Sequence, residues 1–138
     1  MSPHEHRAII GHGIDLVEIA RIEHMLADHG EQFLARVFTL HERDAAGALG
    51  KRRVEGLAAR FAAKEATLKA IGTGLRSRMC WTDIEVVTLP SGAPSVRVSG
   101  EVARVSQQQG IARWSISLSH AGGFAVASVL ALSGPTAE

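Results

Sequence analysis

With Cys80 as its single cysteine, the chain can form no internal disulfide, and at 138 residues it is long enough for the hydrophobic core of one domain without one. That cysteine usage fits a reducing compartment. No apolar run approaches the ~20 residues of a membrane span. The opening Met-Ser-Pro-His-Glu-His-Arg carries no signal-peptide pattern, so the expectation is a cytoplasmic protein. The net charge is only +1, which gives no bulk basic field for nucleic acid; any anion site must be local. Internal repeats, low-complexity tracts and linkers are absent. No G-x-S-x-G elbow accompanies Ser115, Ser117, Ser119 and His120, which argues against a serine hydrolase. No Walker A motif occurs, and Leu16 prevents Gly11-His-Gly13 from completing a dinucleotide fingerprint. Seven histidines and one cysteine show no zinc spacing, and His4 and His6 fall in an expected tail.

What remains is an ordinary soluble composition, 46% hydrophobic and 21% charged. Residues 1–7 and 133–138 read as loose tails around one domain, residues 8–132. Ala8 to Asp15 reads as a partly buried strand whose glycines permit close backbone approach. A helix follows over roughly Val17 to Asp28 and ends at Gly30, and Glu31 to Phe38 is a further helical segment. Thr39-Leu-His-Glu42 is a capping box, so a new helix starts at Leu40. Lys51 to Ile71 is one long helix stopped by Gly72. Trp81 to Leu89 and Ser95 to Val98 form a hairpin across Pro90-Ser-Gly-Ala-Pro94. Ser99 caps a short helix from Glu101 to Gln109. Arg113 to Ser119 alternates as a half-buried strand, and Phe124 to Leu132 is a buried one. This order gives an α+β fold with a mainly antiparallel sheet packed on one long helix.

The long helix carries the unusual pattern. Ala59, Ala63, Ala66 and Ala70 lie on one line, a ridge small enough for another backbone to approach closely. Leu57, Phe61 and Leu68 form a larger apolar line, and Lys64 stands in it where a hydrophobe belongs. Alone, Lys64 could snorkel to water, and Glu65 with Lys69 could be a surface ion pair worth ~0.3–0.5 kcal/mol. Arg53, Arg60 and Lys64 fall within about 40° on an ideal helical wheel, one face that could hold a phosphate. A solvated helix start explains Lys51, Arg52 and Arg53 equally well. Asp15 has two readings: the N-cap of an Asp15-Leu-Val-Glu18 box, or an oxygen ligand for a hard cation. Cys80, between Met79 and Trp81, reads as a small core residue.

Gly13-Ile-Asp15, with Phe61-Ala-Ala-Lys64-Glu65-Ala-Thr-Leu-Lys69-Ala70 about fifty residues later, resembles the paired signature motifs of the 4′-phosphopantetheinyl transferases. Gly72-Thr-Gly74, Ser117-Leu-Ser-His120 and the chain length are similar to the small holo-[acyl-carrier-protein] synthase type. The resemblance implies transfer of 4′-phosphopantetheine from coenzyme A to a serine of an apo-acyl carrier protein of fatty acid synthesis, with Mg²⁺ as cofactor. It implies Asp15 and Glu65 as Mg²⁺ ligands, Asp15 then serving as cap and ligand both. Lys64 and Lys69 would face the pyrophosphate, Lys69 near the leaving side. Arg53, Arg60 and His120 would hold the 3′-phosphate, with Arg52 a weaker candidate, and Ser91, Gly92 and Pro94 would lie against the adenine. Glu65, or a metal-bound water that it orients, would be the general base. The carrier would dock on the first helix through Arg21, Met25, Phe33 and Arg36, and three protomers would share interfacial active sites. Glu23, Asp28 and Glu31 depart from the basic first helix of the family, which leaves carrier choice open. The competing reading is a non-catalytic oligomer that binds coenzyme A or carrier without turnover.

Overall fold

The computed structural model describes residues 8–48 and 50–134. In chain order the elements are β1 (Ile9–Glu18), α1 (Ile19–Val37), α2 (Leu40–Ala46), α3 (Gly50–Ile71), β2 (Ile84–Thr88), β3 (Pro94–Val98), α4 (Gly100–Gln108), β4 (Arg113–Ala121) and β5 (Phe124–Leu132). The α+β class expected from the sequence is the class observed. Every strand pair is antiparallel, but the strands divide into two sheets. One has the order β1-β5-β4, and the other is the β2-β3 hairpin.

The register explains where the sequence reading stopped short. β1 does not end at Asp15; it continues to Glu18, pairing Asp15 with Ala127 and Val17 with Ala125 of β5. The Asp15-Leu-Val-Glu18 capping box therefore does not form. Glu18 occupies the N-cap of α1 in extended conformation and makes no side-chain cap bond. Ladder hydrogen bonds and a buried Val17 outweigh one cap of ~1 kcal/mol. Gly30 leaves the helical conformation, at φ 47° and ψ −120°, so α1 is two helical segments joined at a kink, with the second beginning at Glu31 as the sequence indicated.

Other punctuation signals hold. Thr39 closes both halves of a capping box with Glu42. Gly72, at φ 79°, ends α3 in a Schellman arrangement, with Thr73 N donating to Leu68 O and Gly72 N to Lys69 O. Ser99 sits at the N-cap of α4, but its side chain makes no cap bond. Cys80 is exposed rather than packed in the core, and a short 3₁₀ turn, Trp81–Asp83, separates it from β2. Of the proposed tails, 1–7 and 133–138, residues 1–7 and 135–138 lie outside the described residues. Ser133, at the start of the second tail, is held in place: its N–H donates to Ala8 O at 2.9 Å, and its Oγ accepts from Ala8 N at 2.8 Å.

α3 lies across β1 and β5 and is the spine of the core. Its alanines Ala58, Ala62, Ala63 and Ala66 are fully buried, facing a sheet surface of Val17, Ala125, Ala127, Val129 and Ala131. Near its C-terminus, Leu68 and Ile71 join Ile84, Val96, Val102 and Val105 in a second cluster under the hairpin and α4. The small-residue ridge receives β1. A Cβ at Gly13 would overlap Ala66 O, and one at Gly11 would overlap Ala70 O. The two backbones thus touch directly. The opposite face of the β1-β5-β4 sheet leaves Ile14, Leu16 and Phe124 exposed at 58%, 62% and 41%. Replacing Gly13 by alanine pushes against backbone that cannot rotate away, and should cost about 3 kcal/mol or more, at or above the top of the usual overpacking range. Urea denaturation would measure it.

Candidate active site

The contact between β1 and α3 places Asp15 over the last two turns of the helix. Lys69 Nζ bonds Asp15 Oδ1 at 2.9 Å and Ile14 O at 2.9 Å. It is thus tied to β1 rather than merely to its i−4 neighbour Glu65. Glu65, half-buried, lies beside Asp15. Burial raises its pKa, and the neighbouring Asp15 charge raises it further, opposed by Arg21 and Lys69. Asp15 raises the Lys69 pKa through their hydrogen bond and ion pair.

Asp15 Oδ2 is buried and has no hydrogen-bond partner. A buried lone carboxylate oxygen beside a second, half-buried carboxylate is an unfavourable concentration of negative charge. A divalent cation would relieve it. Mg²⁺ suits such a donor set, because it takes one or two carboxylates and fills its remaining positions with waters and phosphate oxygens. No group of three or more metal-ligating side chains gathers among the described residues, so the set does not resemble a closed protein-only site. Arg21, named above for carrier docking, sits over the Phe61 ring at 5.7 Å and is near enough to Glu65 to oppose its pKa rise. The α1 side of this carboxylate pair is therefore cationic.

Lys64 goes elsewhere. It neither snorkels to water nor faces the carboxylate pair: it is 0% exposed and bonded to Glu42 Oε1 at 2.8 Å, with Glu42 itself 0% exposed. Its ammonium also donates to Trp81 O and Ile84 O. Burial lowers its pKa, against the pull of Glu42. The second Glu42 oxygen accepts from Val86 N at 2.7 Å, while Oε1 also caps Thr39 N at 2.9 Å. One buried ion pair thus joins α2, α3, the 3₁₀ turn and β2. Sequence reasoning saw Glu42 only as half of a capping box. The expectation that Lys64 faces a pyrophosphate is not met within this chain.

The cationic face predicted from the wheel is not assembled either. Arg53 turns back to the carbonyls of Gly47 and Ala48 at 3.0 and 3.1 Å. Arg60 is half-buried, donates from Nη1 to Gly56 O at 3.0 Å, and leaves its Nε buried without a partner. Desolvation lowers its pKa. His120 is at the far end of β4, in a cleft of about 890 Å³ between the Gly122-Gly123 turn and the starts of α1 and α3. Lys51 lines the same cleft, together with Glu18, Glu23 and Glu55, but Asp15, Glu65, Lys69, Arg53 and Arg60 do not. Arg52 is exposed. Ser91 and Gly92 are exposed at the tip of the β2-β3 hairpin, with Gly92 at φ 91°, and Pro94 begins β3. Met25, His29, Gln32, Phe33 and Arg36 line a small cleft of about 210 Å³ on α1. Phe33 itself is buried edge-on to Phe38, with ring centroids 5.8 Å apart. One chain therefore brings together Asp15, Glu65 and Lys69, and leaves Arg60 beside the Lys64–Glu42 pair, His120 in its own cleft and Ser91, Gly92 and Pro94 at the hairpin tip.

A structural role for Lys64 has a measurable signature. Lys64→Met strands the Glu42 carboxylate in the core and should cost about 3–5 kcal/mol in urea unfolding, while Glu42→Leu combined with Lys64→Met should recover much of it.

The family model of the 4′-phosphopantetheinyl transferase superfamily matches residues 11–129. A holo-[acyl-carrier-protein] synthase of Trichlorobacter lovleyi is 44% identical over 122 residues, 88% of this chain and 96% of its own length. Among solved structures, holo-[acyl-carrier-protein] synthase from Neisseria meningitidis superposes with TM-score 0.80 at 35% identity, covering 90% of this chain and 98% of that one. The Bacillus anthracis holo-(acyl-carrier-protein) synthase in complex with CoA (3′,5′-ADP) superposes with TM-score 0.75 at 39% identity, covering 91% and 98%.

Proposed function

This chain belongs to the 4′-phosphopantetheinyl transferase superfamily, and we propose that it transfers 4′-phosphopantetheine from coenzyme A to a serine of apo-acyl carrier protein. The observation that carries the reading is the junction of Asp15, Glu65 and Lys69 where β1 meets α3, in a chain whose relatives of nearly equal length are named for this reaction. The serine oxygen forms a bond to the β-phosphorus of coenzyme A as the bond to the bridging oxygen breaks. The serine proton passes to a base, and adenosine 3′,5′-bisphosphate leaves. Mg²⁺ held by Asp15 and Glu65 would supply charge neutralisation at the phosphoryl oxygens. Lys69 stands beside those carboxylates with an ammonium to offer the departing phosphate. Glu65, or a water that it orients, stands as the candidate proton acceptor by its place beside Asp15. No protein nucleophile is needed. A complete carboxylate–lysine set also favours turnover over a binding-only oligomer.

The remaining assignments concern how the site is completed. Arg53, Arg60 and His120 for the 3′-phosphate, and Ser91, Gly92 and Pro94 for the adenine, are far from forming one pocket within a protomer. A homotrimer with interfacial active sites would bring the cleft of His120 and Lys51 on one protomer toward the carboxylate pair of the next. The exposed Ile14, Leu16 and Phe124 on the open sheet face support such an assembly. Arg21, Met25 and Arg36 on α1, with the edge of Phe33, would receive the carrier, which we take to be that of fatty acid synthesis in the cytoplasm. No helix of the described residues is long and apolar enough to cross a membrane.

Incubation with apo-acyl carrier protein, coenzyme A and Mg²⁺ should add one phosphopantetheinyl group to the carrier, read by intact-mass analysis and abolished by a chelator. Glu65→Ala should slow this by about a hundredfold or more, the scale expected for losing a group that stabilises developing charge, with unchanged circular dichroism. Unaltered turnover in that variant would remove Glu65 from the site. Leu16→Glu places a charge on the open sheet face. Light scattering should then report monomers in place of trimers, and transfer should fall by most of its value; a fully active monomer would refute the interfacial site.

A further inference from the structure

We infer that Asp15 divides its two oxygens between two tasks, Oδ1 holding Lys69 in place and Oδ2 kept for the cation. Lys69 is then positioned before any metal or substrate arrives. The inference rests on the reading of the site given above and adds a positioning role that the metal-ligand assignment does not contain.

Three observations converge. Lys69 is half in solvent, with its side chain 54% exposed, yet it is held at 2.9 Å by both Asp15 Oδ1 and Ile14 O. A free lysine would have to give up much of its rotamer freedom each time a phosphate bound. Here that ordering is already made by the protein. An ammonium has three donors; two are engaged, and one is left for a phosphoryl oxygen. The Asp15 side chain, in contrast, is only 11% exposed and lies beside Glu65, and its Oδ2 is buried and unpartnered. The two oxygens of one carboxylate thus face different surroundings. The backbone contact at Gly13 and Ala66 keeps Asp15 within reach of the helix, so neither oxygen depends on a mobile loop.

The division makes Asp15 and Glu65 unequal. Losing Glu65 removes a cation ligand and leaves Lys69 anchored. Losing Asp15 removes a ligand and leaves the lysine with the Ile14 carbonyl alone.

The chain has three lysines, which makes the test direct. Lys64 is fully buried and Lys51 is exposed, so Lys51 serves as an internal reference for Lys69. Limiting acetylation of the intact protein, at one pH and without coenzyme A or carrier, would be read peptide by peptide by mass spectrometry. Lys69 should label several-fold more slowly than Lys51 in the wild type, with or without added Mg²⁺. Glu65→Gln should preserve this protection. Asp15→Ala, which leaves only the Ile14 carbonyl, should remove most of it, and Asp15→Asn, which retains one oxygen, should keep a larger part. Lys69 labelling as fast as Lys51 in the wild type would overturn the inference. So would Mg²⁺ exposing Lys69, which would mean that the cation takes both oxygens, or Glu65→Gln exposing it as fully as Asp15→Ala. If Asp15→Ala fails to fold, the wild-type arms with and without Mg²⁺ and the Glu65→Gln arm decide alone. Because no arm contains either substrate, a failed transfer assay and a failed labelling result remain separable.

Discussion

The direct contact of two backbones, β1 on α3, is the constraint from which the rest of the site follows. Gly11 and Gly13 have no side chain to hold the strand away, and Ala66 and Ala70 present nothing but carbonyls and methyls to meet it. At that spacing, an aspartate on the strand can reach a lysine on the helix. The glutamate one turn earlier falls beside the same aspartate. Larger residues on either side would separate strand from helix and pull the three charged groups apart. Chemistry and packing here share the same few positions.

A second polar junction joins α3 to other elements. Glu42 and Lys64 are desolvated together, and every oxygen and most donors find a partner among Thr39, Val86, Trp81 and Ile84. Such a pair adds little net stability over apolar residues of equal volume, because desolvating two charges is expensive. What it does provide is register. Adjacent residues of α3, Lys64 and Glu65, point to opposite jobs, one locking the helix to α2 and β2 and the other facing β1. Rotation of the helix about its axis would break the first arrangement and spoil the second.

Much of this was legible in the residues. The run of helix formers from Arg60 to Ile71, stopped by Gly72, announced α3, and the capping box at Thr39 announced α2. The alanine ridge predicted a close backbone neighbour, and the first strand's glycines predicted a close approach of their own; that the two meet is seen only in the fold. The signals that misled were local patterns overruled by distant partners. Asp15 reads as a helix cap until β5 extends the ladder to Glu18. Lys64 reads as a surface or ligand-facing cation until Glu42 appears, 22 positions earlier and on a different helix. Arg53 and Arg60 share a face on an ideal wheel, but nearby carbonyls capture their guanidinium groups. Spacing tells which side of a helix a residue leaves from, and not what meets it there.

The pinning of Ala8 to Ser133 carries a geometric consequence. Ile9 pairs with Leu132 at one end of the sheet, and Glu18 pairs with Phe124 at the other, beside the large cleft. Polypeptide continuing beyond either side of the fold therefore emerges from one shared corner, about 30 Å along the strands from that cleft at ~3.3 Å per residue. A surface tether or fused reporter attached at that corner would hang away from the His120 cleft. A short bridge across it would join the two ends with little strain, leaving the sheet free to be reopened at the Gly122-Gly123 turn or the hairpin tip in a circularly permuted chain.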